Sequence, residues 1–136
     1  MFNSETSIRV RYSETDRMGY VYYGNYAAYY EVGRVEALRA LQMSYREMED
    51  SGIMLPVLNY NIKYYKPAFY DDLLFIHTCI PEMPSTRIKF LYKMYNTDAV
   101  LLNEGETTLV FVNTKTGKPC QAPINFIDKL KPYFNP

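Results

Sequence analysis

Residues 12–34 read YSETDRMGYVYYGNYAAYYEVGR, and this stretch decides the fold. Its first half is a polar loop that contains Asp16 and Gly19, and its second half has the spacing of a helix that begins near Asn25. Asn25 is the predicted N-cap. One side of the predicted helix is formed by Tyr26, Tyr29, Tyr30, Gly33, Ala37, Ala40 and Leu41. The charged residues that lie away from this side are Glu31, Arg34 and Arg39.

Small residues on the predicted helix indicate a close neighbour. Glycine in the middle of a helix costs about 1 kcal/mol relative to alanine, so Gly33, followed by Ala37 and Ala40, predicts a sheet that packs closely against this face. The opposite side is also partly apolar, which predicts wrapping by the sheet or contact with a partner chain. Its apolar residues are Ala28, Val32, Val35 and Leu38.

Strand patterns flank this helix. Before it, residues 8–12 alternate between apolar and basic side chains, as in a half-buried strand. After it, Ser44 and Glu47 predict a capping box for a second helix that Gly52 ends. The predicted strands that follow cover residues 58–64, 73–80, 88–94 and 100–113. Gly105 predicts a bulge or bend in the last of them, and residues 124–134 fit either a helix or a coil.

This order of elements predicts an α+β protein in which a curved antiparallel sheet wraps around one long central helix. We expect consecutive strands joined by short turns to form that sheet. A chain of 136 residues can bury about two thirds of its unfolded surface, and no linker or repeat divides it. The sequence therefore predicts a single domain over residues 1–136.

Composition excludes several classes of function. The chain has 15 basic and 15 acidic residues, which gives a net charge of zero and no electrostatic reason to bind nucleic acid or an acidic membrane. No apolar run is long enough for a signal peptide or a membrane span, so we expect a cytoplasmic protein without an integral membrane segment. Two cysteines and one histidine are too few for a zinc site, so we expect no metal and no cofactor.

Asp16 is the candidate catalytic residue. It lies in a loop before the N-terminus of the predicted helix, where free amides and the helix dipole can stabilise an oxyanion. Gly19 and Gly24 let the backbone bend close to a ligand. A carboxylate at this place can attack a carbonyl or activate water, but it can also simply close an Asx-turn. His77 lies within a predicted strand and is expected to be a hydrogen-bonded sheet histidine.

The residues of this stretch resemble the signature of the hotdog-fold acyl-CoA thioesterases, within which the 4-hydroxybenzoyl-CoA thioesterase-like group and its Tol-Pal-associated branch are most similar. The matching residues are Tyr12, Glu14, Thr15, Asp16, Gly19, Val21, Tyr22, Asn25, Tyr26, Glu31 and Arg34. The resemblance continues in VLNYNIKYYKPAFYDDLL at residues 57–74 and in LLNEGETTLVFVNTKTGKP at residues 101–119. It covers residues 8–123.

The resemblance implies hydrolysis of an acyl-CoA thioester to a free acid and coenzyme A. It implies that Asp16 acts as nucleophile or general base, while amides at the helix N-terminus hold the thioester carbonyl. Tyr23 replaces the histidine that is common in the Tol-Pal branch, and it either donates a hydrogen bond to the thioester or shapes the pocket. The implied substrate-binding residues are Gly19, Val21, Asn25, Tyr26, Ser85, Thr86 and Arg87.

Other interpretations remain open at this stage. A hotdog dehydratase or hydratase would need a histidine that the loop and central helix lack, and a non-catalytic acyl-CoA-binding module would leave Asp16 idle. Glu31 is a second candidate carboxylate, although an ion pair with Arg34 three residues later explains it. The resemblance also implies a homodimer, with edge-to-edge sheets and the pocket at the subunit boundary, or a homotetramer built as a dimer of dimers.

Overall fold

One long helix lies against the concave face of a five-stranded antiparallel sheet in the computed structural model, which describes residues 1–134. The strands are β1 (Phe2–Arg9), β2 (Ile53–Met54), β3 (Val57–Tyr64), β4 (Leu73–Ile80), β5 (Arg87–Tyr95), β6 (Leu101–Val110) and β7 (Val112–Asn113). The helices are α1 (Asn25–Ala40), α2 (Tyr45–Asp50) and α3 (Ile124–Phe134), with a 3₁₀ turn at Tyr12–Glu14. No helix within this part of the chain is long and apolar enough to cross a membrane.

The strand order is β1-β4-β5-β6-β3. The predicted run of consecutive neighbours is therefore correct only for β4, β5 and β6. β3 pairs with β6, and β1 pairs with β4, so β3 lies at one edge of the sheet. Alternating side chains predict a strand and its buried face, but they do not predict its neighbour. β2 and β7 form a separate two-stranded ladder.

Two predicted strand boundaries were wrong. The first strand covers Phe2–Arg9 and not residues 8–12, because its inward positions are occupied partly by Ser4 and Thr6, which hide the apolar pattern. The predicted strand 100–113 is divided at Phe111, and the part after this residue pairs with β2. The ambiguous segment 124–134 is a helix.

The predicted packing face of α1 is buried from Tyr26 to Ala37. Arg34 and Leu38, which the pattern placed away from this face, are also buried, while Ala40 is exposed. The curved sheet and α2 cover more of the helix than one stripe, so the buried sector is wider than the sequence predicts. The prediction of α2 was correct, and the Ser44 hydroxyl accepts a hydrogen bond from the Glu47 amide, which is one half of the predicted capping box.

Gly33 brings α1 close to the sheet. A Cβ atom at this position would lie 2.6 Å from Thr78 Oγ1 and 3.0 Å from Ile76 Cγ2. Any larger side chain would therefore push the helix off β4. The predicted close approach of a sheet to this face of the helix is confirmed.

Gly105 serves the same contact and does not form the predicted bulge. The ladder runs without interruption from Ile62 through Gly105 to Tyr92. A Cβ atom on Gly105 would lie 2.5 Å from the Asn61 carbonyl oxygen and 2.8 Å from Cε2 of Tyr30. Glycine is required at this position because the Tyr30 ring of α1 packs directly on the backbone of β6.

Replacing Gly105 by alanine should destabilise the fold by roughly 1–3 kcal/mol, the usual cost of adding a methyl group to a packed core. Without the clash, alanine would stabilise a strand interior by about 0.5–1 kcal/mol relative to glycine. Urea unfolding of Gly105→Ala beside Glu106→Ala measures the effect, because Glu106 follows on the same strand and is only half-buried. A Gly105→Ala protein that is more stable than wild type would contradict the close contact.

Candidate active site

A cleft of ≈430 Å³ lies between the loop that precedes α1 and the end of β3. Of the predicted site residues, Asp16, Val21, Tyr23 and Tyr26 line it together. The structure adds residues that the sequence reasoning missed, namely Met18, Tyr20, Tyr22, Tyr64, Tyr65, Lys66 and Pro67. A larger concavity of ≈620 Å³ lies on the outer face of the sheet and contains none of the predicted site residues.

A tight loop presents Asp16 to this cleft. The Asp16 amide donates to the Tyr20 carbonyl at 3.0 Å, and the Gly19 amide donates to the Asp16 carbonyl at 3.0 Å. Gly19 has a φ of 87°, in the left-handed region that favours glycine. Gly19 is not among the residues that line the cleft. Gly19 therefore shapes the loop and does not contact the cleft.

The two oxygens of the Asp16 carboxylate have different environments. Oδ1 accepts a hydrogen bond from the Met18 amide at 2.8 Å, which is the Asx-turn that the sequence allowed. Within residues 1–134, Oδ2 accepts no hydrogen bond. One oxygen therefore orients the carboxylate, while the other is available to a ligand.

Glu14 joins the loop to the helix. Its carboxylate accepts hydrogen bonds from the Arg11 amide (2.8 Å), the Arg11 guanidinium (3.0 Å) and the Tyr29 hydroxyl (2.9 Å). Burial acts to raise the pKa of Glu14, but these hydrogen bonds and the charge of Arg11 outweigh it and lower the pKa below its usual range. Its carbonyl accepts from the Tyr22 amide (2.9 Å) and the Asn25 side chain (2.8 Å).

Asn25 is not the N-cap that the sequence predicted. Gly24 is the N-cap and Asn25 is the first helical residue, because the Asn25 amide group is used to hold the Glu14 carbonyl. The Tyr22 ring covers Gly24, where a Cβ atom would lie 2.7 Å from Tyr22 Cε2. Asn25 does not line the cleft, and its side-chain hydrogen bond to Glu14 connects the loop to α1.

Two backbone amides at the N-terminus of α1, those of Tyr23 and Gly24, donate to no acceptor in the described chain. The next two amides are already used: the Asn25 backbone amide donates to the Tyr22 carbonyl at 2.9 Å, and the Tyr26 amide donates to the Tyr23 carbonyl at 3.3 Å. The positive end of the helix dipole adds to these free donors. The Tyr23 side chain itself is 65% exposed and packs against the Tyr22 ring.

Three predicted substrate-binding residues lie far from this cleft in the same chain. Ser85 and Thr86 precede β5, and Arg87 begins it opposite Val110. The cleft lies at the other end of the sheet, where Tyr64 pairs with Asn103. Seven residues of strand separate the two ends, which is on the order of 20 Å. One chain alone does not bring these residues to Asp16.

The predicted ion pair between Glu31 and Arg34 was wrong. Arg34 is 8% exposed, and its guanidinium donates to the hydroxyls of Tyr45 (3.1 Å) and Tyr92 (3.4 Å). The ion pairs of residues 1–134 include neither Glu31 nor Arg34. The helix turns Arg34 into the space between α2 and the sheet, a direction that its i,i+3 spacing from Glu31 does not reveal.

His77 lies on the outer face of the sheet, with its Nε2 atom 3.3 Å from a Glu5 carboxylate oxygen. His77 is a sheet residue, as predicted, but its side chain forms no hydrogen bond within residues 1–134, so the predicted hydrogen bond is not observed. In the part of the chain that the structure describes, no three histidine, cysteine or carboxylate side chains are grouped closely enough to hold a metal ion.

Comparison with known proteins gives consistent matches. A model of the thioesterase-like superfamily matches residues 10–130. The putative acyl-CoA thioesterase YneP of Bacillus subtilis (strain 168) is 36% identical over 121 residues, which cover 89% of this chain and 88% of that protein. The acyl-CoA thioester hydrolase YbgC of Escherichia coli O157:H7 is 35% identical over 124 residues, which cover 91% of this chain and 92% of that protein.

A solved structure is similar over nearly the whole chain. It is described as a DHNA-CoA thioesterase from Staphylococcus aureus, has a TM-score of 0.86 and 35% identity, and covers 98% of this chain and 85% of its own. The hotdog fold that the resemblance implied is thereby confirmed.

Glu14→Gln should lower the free energy of unfolding at pH 7 by about 1 kcal/mol or more, since hydrogen bonds to a charged group are lost. Because folding lowers the pKa of Glu14 below its ordinary value of 4.5, this stabilisation is present above pH 4.5 and is lost as the pH falls through the folded pKa. Urea unfolding at pH 7 and pH 3.5 measures the gap between variant and wild type. The exposed Glu82→Gln is the control, and a gap that widens in acid would contradict the assignment.

Proposed function

The chain belongs to the thioesterase-like superfamily, and from that premise we propose that it hydrolyses acyl-CoA thioesters with Asp16 as the catalytic carboxylate. The activity follows from relatives named as acyl-CoA thioesterases that match about nine tenths of the chain. The observation that carries the role of Asp16 is the difference between its two oxygens. Oδ1 is held by the Met18 amide, whereas Oδ2 is free beside an apolar cleft.

Two routes use this carboxylate. As a general base, Oδ2 takes a proton from water while the water oxygen attacks the thioester carbonyl carbon. As a nucleophile, Oδ2 attacks that carbon itself, the C–S bond breaks, and water then opens the resulting mixed anhydride. Either route releases the thiolate of coenzyme A, which is protonated, and the acid. Mass measurement after an acid quench separates them, because only the nucleophilic route adds the acyl mass to the protein.

The oxyanion formed in both routes needs hydrogen-bond donors. We propose that the backbone amides of Tyr23 and Gly24 supply them, because neither has an acceptor in the described chain and both lie at the positive end of α1. Tyr23 would then act through its main chain. Its ring, with the rings of Tyr22 and Tyr26, would form part of the wall around the acyl group.

The proposal also includes a dimer that completes the site. β3 is an unpaired edge, and an antiparallel pairing with its copy would place the Val57 end of one strand beside the Tyr64 end of the other. Arg87 lies at the Val57 end of its own sheet. It would thereby approach the cleft of the second chain, where its guanidinium, with Ser85 and Thr86, can meet the phosphates of coenzyme A. We also propose that two such dimers can stack to form a tetramer.

Hydrolysis on either route uses only water and these side chains, so we propose that no cofactor takes part. The two cysteines are free, which suits a reducing compartment, and the proposal includes a cytoplasmic location.

Asp16→Asn should lower kcat by at least about 100-fold, the lower range of what a positioned acid or base contributes. The assay measures free thiol released from benzoyl-CoA and from short aliphatic acyl-CoAs in the presence of EDTA. Asp98→Asn, in an exposed turn, is the matched control and should retain wild-type turnover. Near wild-type turnover of Asp16→Asn would remove Asp16 from the mechanism. Binding of acyl-CoA by the wild type without release of thiol would indicate a non-catalytic module.

Tyr23→Phe should change kcat by less than about threefold, or under 1 kcal/mol of barrier, because the backbone amide is unaltered. The same thiol assay measures it, with circular dichroism as a check of folding. A loss of 100-fold or more in a folded variant would assign the catalytic hydrogen bond to the phenol hydroxyl and would overturn the proposed role of the main chain.

A further inference from the structure

Arg34 is a buried cation for which the described chain supplies no counter-charge. Its guanidinium donates only to the hydroxyls of Tyr45 and Tyr92. Burial raises the pKa of both phenols, and that of Tyr45 to about 12, so both hydroxyls are neutral at physiological pH. A buried charge is unfavourable unless an opposite charge pairs with it. A carboxylate from another molecule would therefore complete this site.

A free carboxylate lies beside the same cavity. A space of ≈380 Å³ between α1 and the edge strand β3 is lined by Ala27, Ala28, Glu31, Arg34, Val57 and Tyr60, among others. Glu31 is exposed and forms no ion pair within residues 1–134. Opposite charges one helical turn apart thus share one cavity without neutralising each other.

The position of this cavity relates it to a second copy of the chain. If the whole of β3 (Val57–Tyr64) pairs antiparallel with its copy, the two-fold axis passes between Tyr60 and Asn61. Tyr60 lines the cavity that Glu31 and Arg34 share, so the axis passes beside this part of α1. A two-fold axis perpendicular to a sheet reverses any helix that lies flat on it. The two α1 helices therefore run antiparallel across the axis.

We propose that Glu31 of each chain pairs with Arg34 of a second copy, so that two symmetric ion pairs close this cavity. In a two-fold contact, a residue of the first chain that meets a given residue of the second chain is matched by the same contact with the chains exchanged. The axis passes beside the cavity that both residues line, which brings Glu31 of one chain toward Arg34 of the other. The inference rests on the dimer of the proposed function and identifies the contact that specifies it.

The test compares Glu31→Gln with Glu36→Gln by sedimentation velocity, because Glu36 lies on the same helix but pairs with Arg39 of its own chain. Glu31→Gln should raise the dimer dissociation constant by at least about tenfold, since it leaves Arg34 unpaired at the interface. Glu36→Gln should leave it unchanged. Where dimers are too tight to dissociate, the exchange rate of labelled subunits gives the same comparison. A Glu31→Gln dimer as tight as wild type overturns the proposal.

A double-mutant cycle identifies the partner of Glu31. In an Arg34→Gln background, Glu31→Gln should weaken the dimer by less than about twofold, because the pair is already lost. An undiminished cost of Glu31→Gln in that background assigns Glu31 to another partner and also overturns the proposal. If Arg34→Gln does not fold, the comparison of Glu31→Gln with Glu36→Gln decides alone, because Glu31 is exposed in the chain.

These measurements use no substrate, so the two proposals fail separately. A wild-type dimer that Glu31→Gln weakens, but that releases no thiol from acyl-CoA, refutes the proposed function and keeps the ion pair. An active dimer that is indifferent to Glu31→Gln refutes the ion pair and keeps the function.

Discussion

The close contact between α1 and the sheet is the constraint on which the rest of the structure depends. The Tyr30 ring stacks on the Tyr92 ring, with 4.3 Å between centroids and 5° between planes, and the Tyr30 hydroxyl donates to Asn103 at 2.5 Å. The absence of side chains at Gly33 and Gly105 permits this approach. The contact fixes the height and rotation of the helix on three neighbouring strands, and the position of its N-terminus follows.

The candidate site inherits its geometry from that N-terminus. The free amides of Tyr23 and Gly24 directly precede α1, and Asp16 belongs to a loop that a hydrogen bond from Asn25 to the Glu14 carbonyl ties to the same helix. A carboxylate and two donors are thus all positioned by their connection to α1. In the proposed reaction, donors held in place before the substrate binds would stabilise the oxyanion without reorganisation.

The sequence predicts those parts in which local pattern and burial agree. The helical period of α1 is strong because Tyr26, Tyr29 and Tyr30 all face the core. The loop before it could be predicted because it is polar and contains Asp16 and Gly19. The far wall of the cleft could not be predicted, since nothing local shows that Tyr64 folds beside residue 16. Arg34 was misread for a related reason: a charged residue is expected at the surface, and its burial depends on tyrosines from α2 and β5.

The exposed edge of β3 has a consequence for a chain in which no other strand covers it. All but one of its eight residues are exposed, including Val57, Leu58 and Tyr60, and its outer hydrogen-bonding groups have no neighbouring strand in the described chain. Unprotected edges of this kind recruit other chains and promote aggregation. A newly synthesised chain would therefore depend on chaperones for as long as this edge stays uncovered.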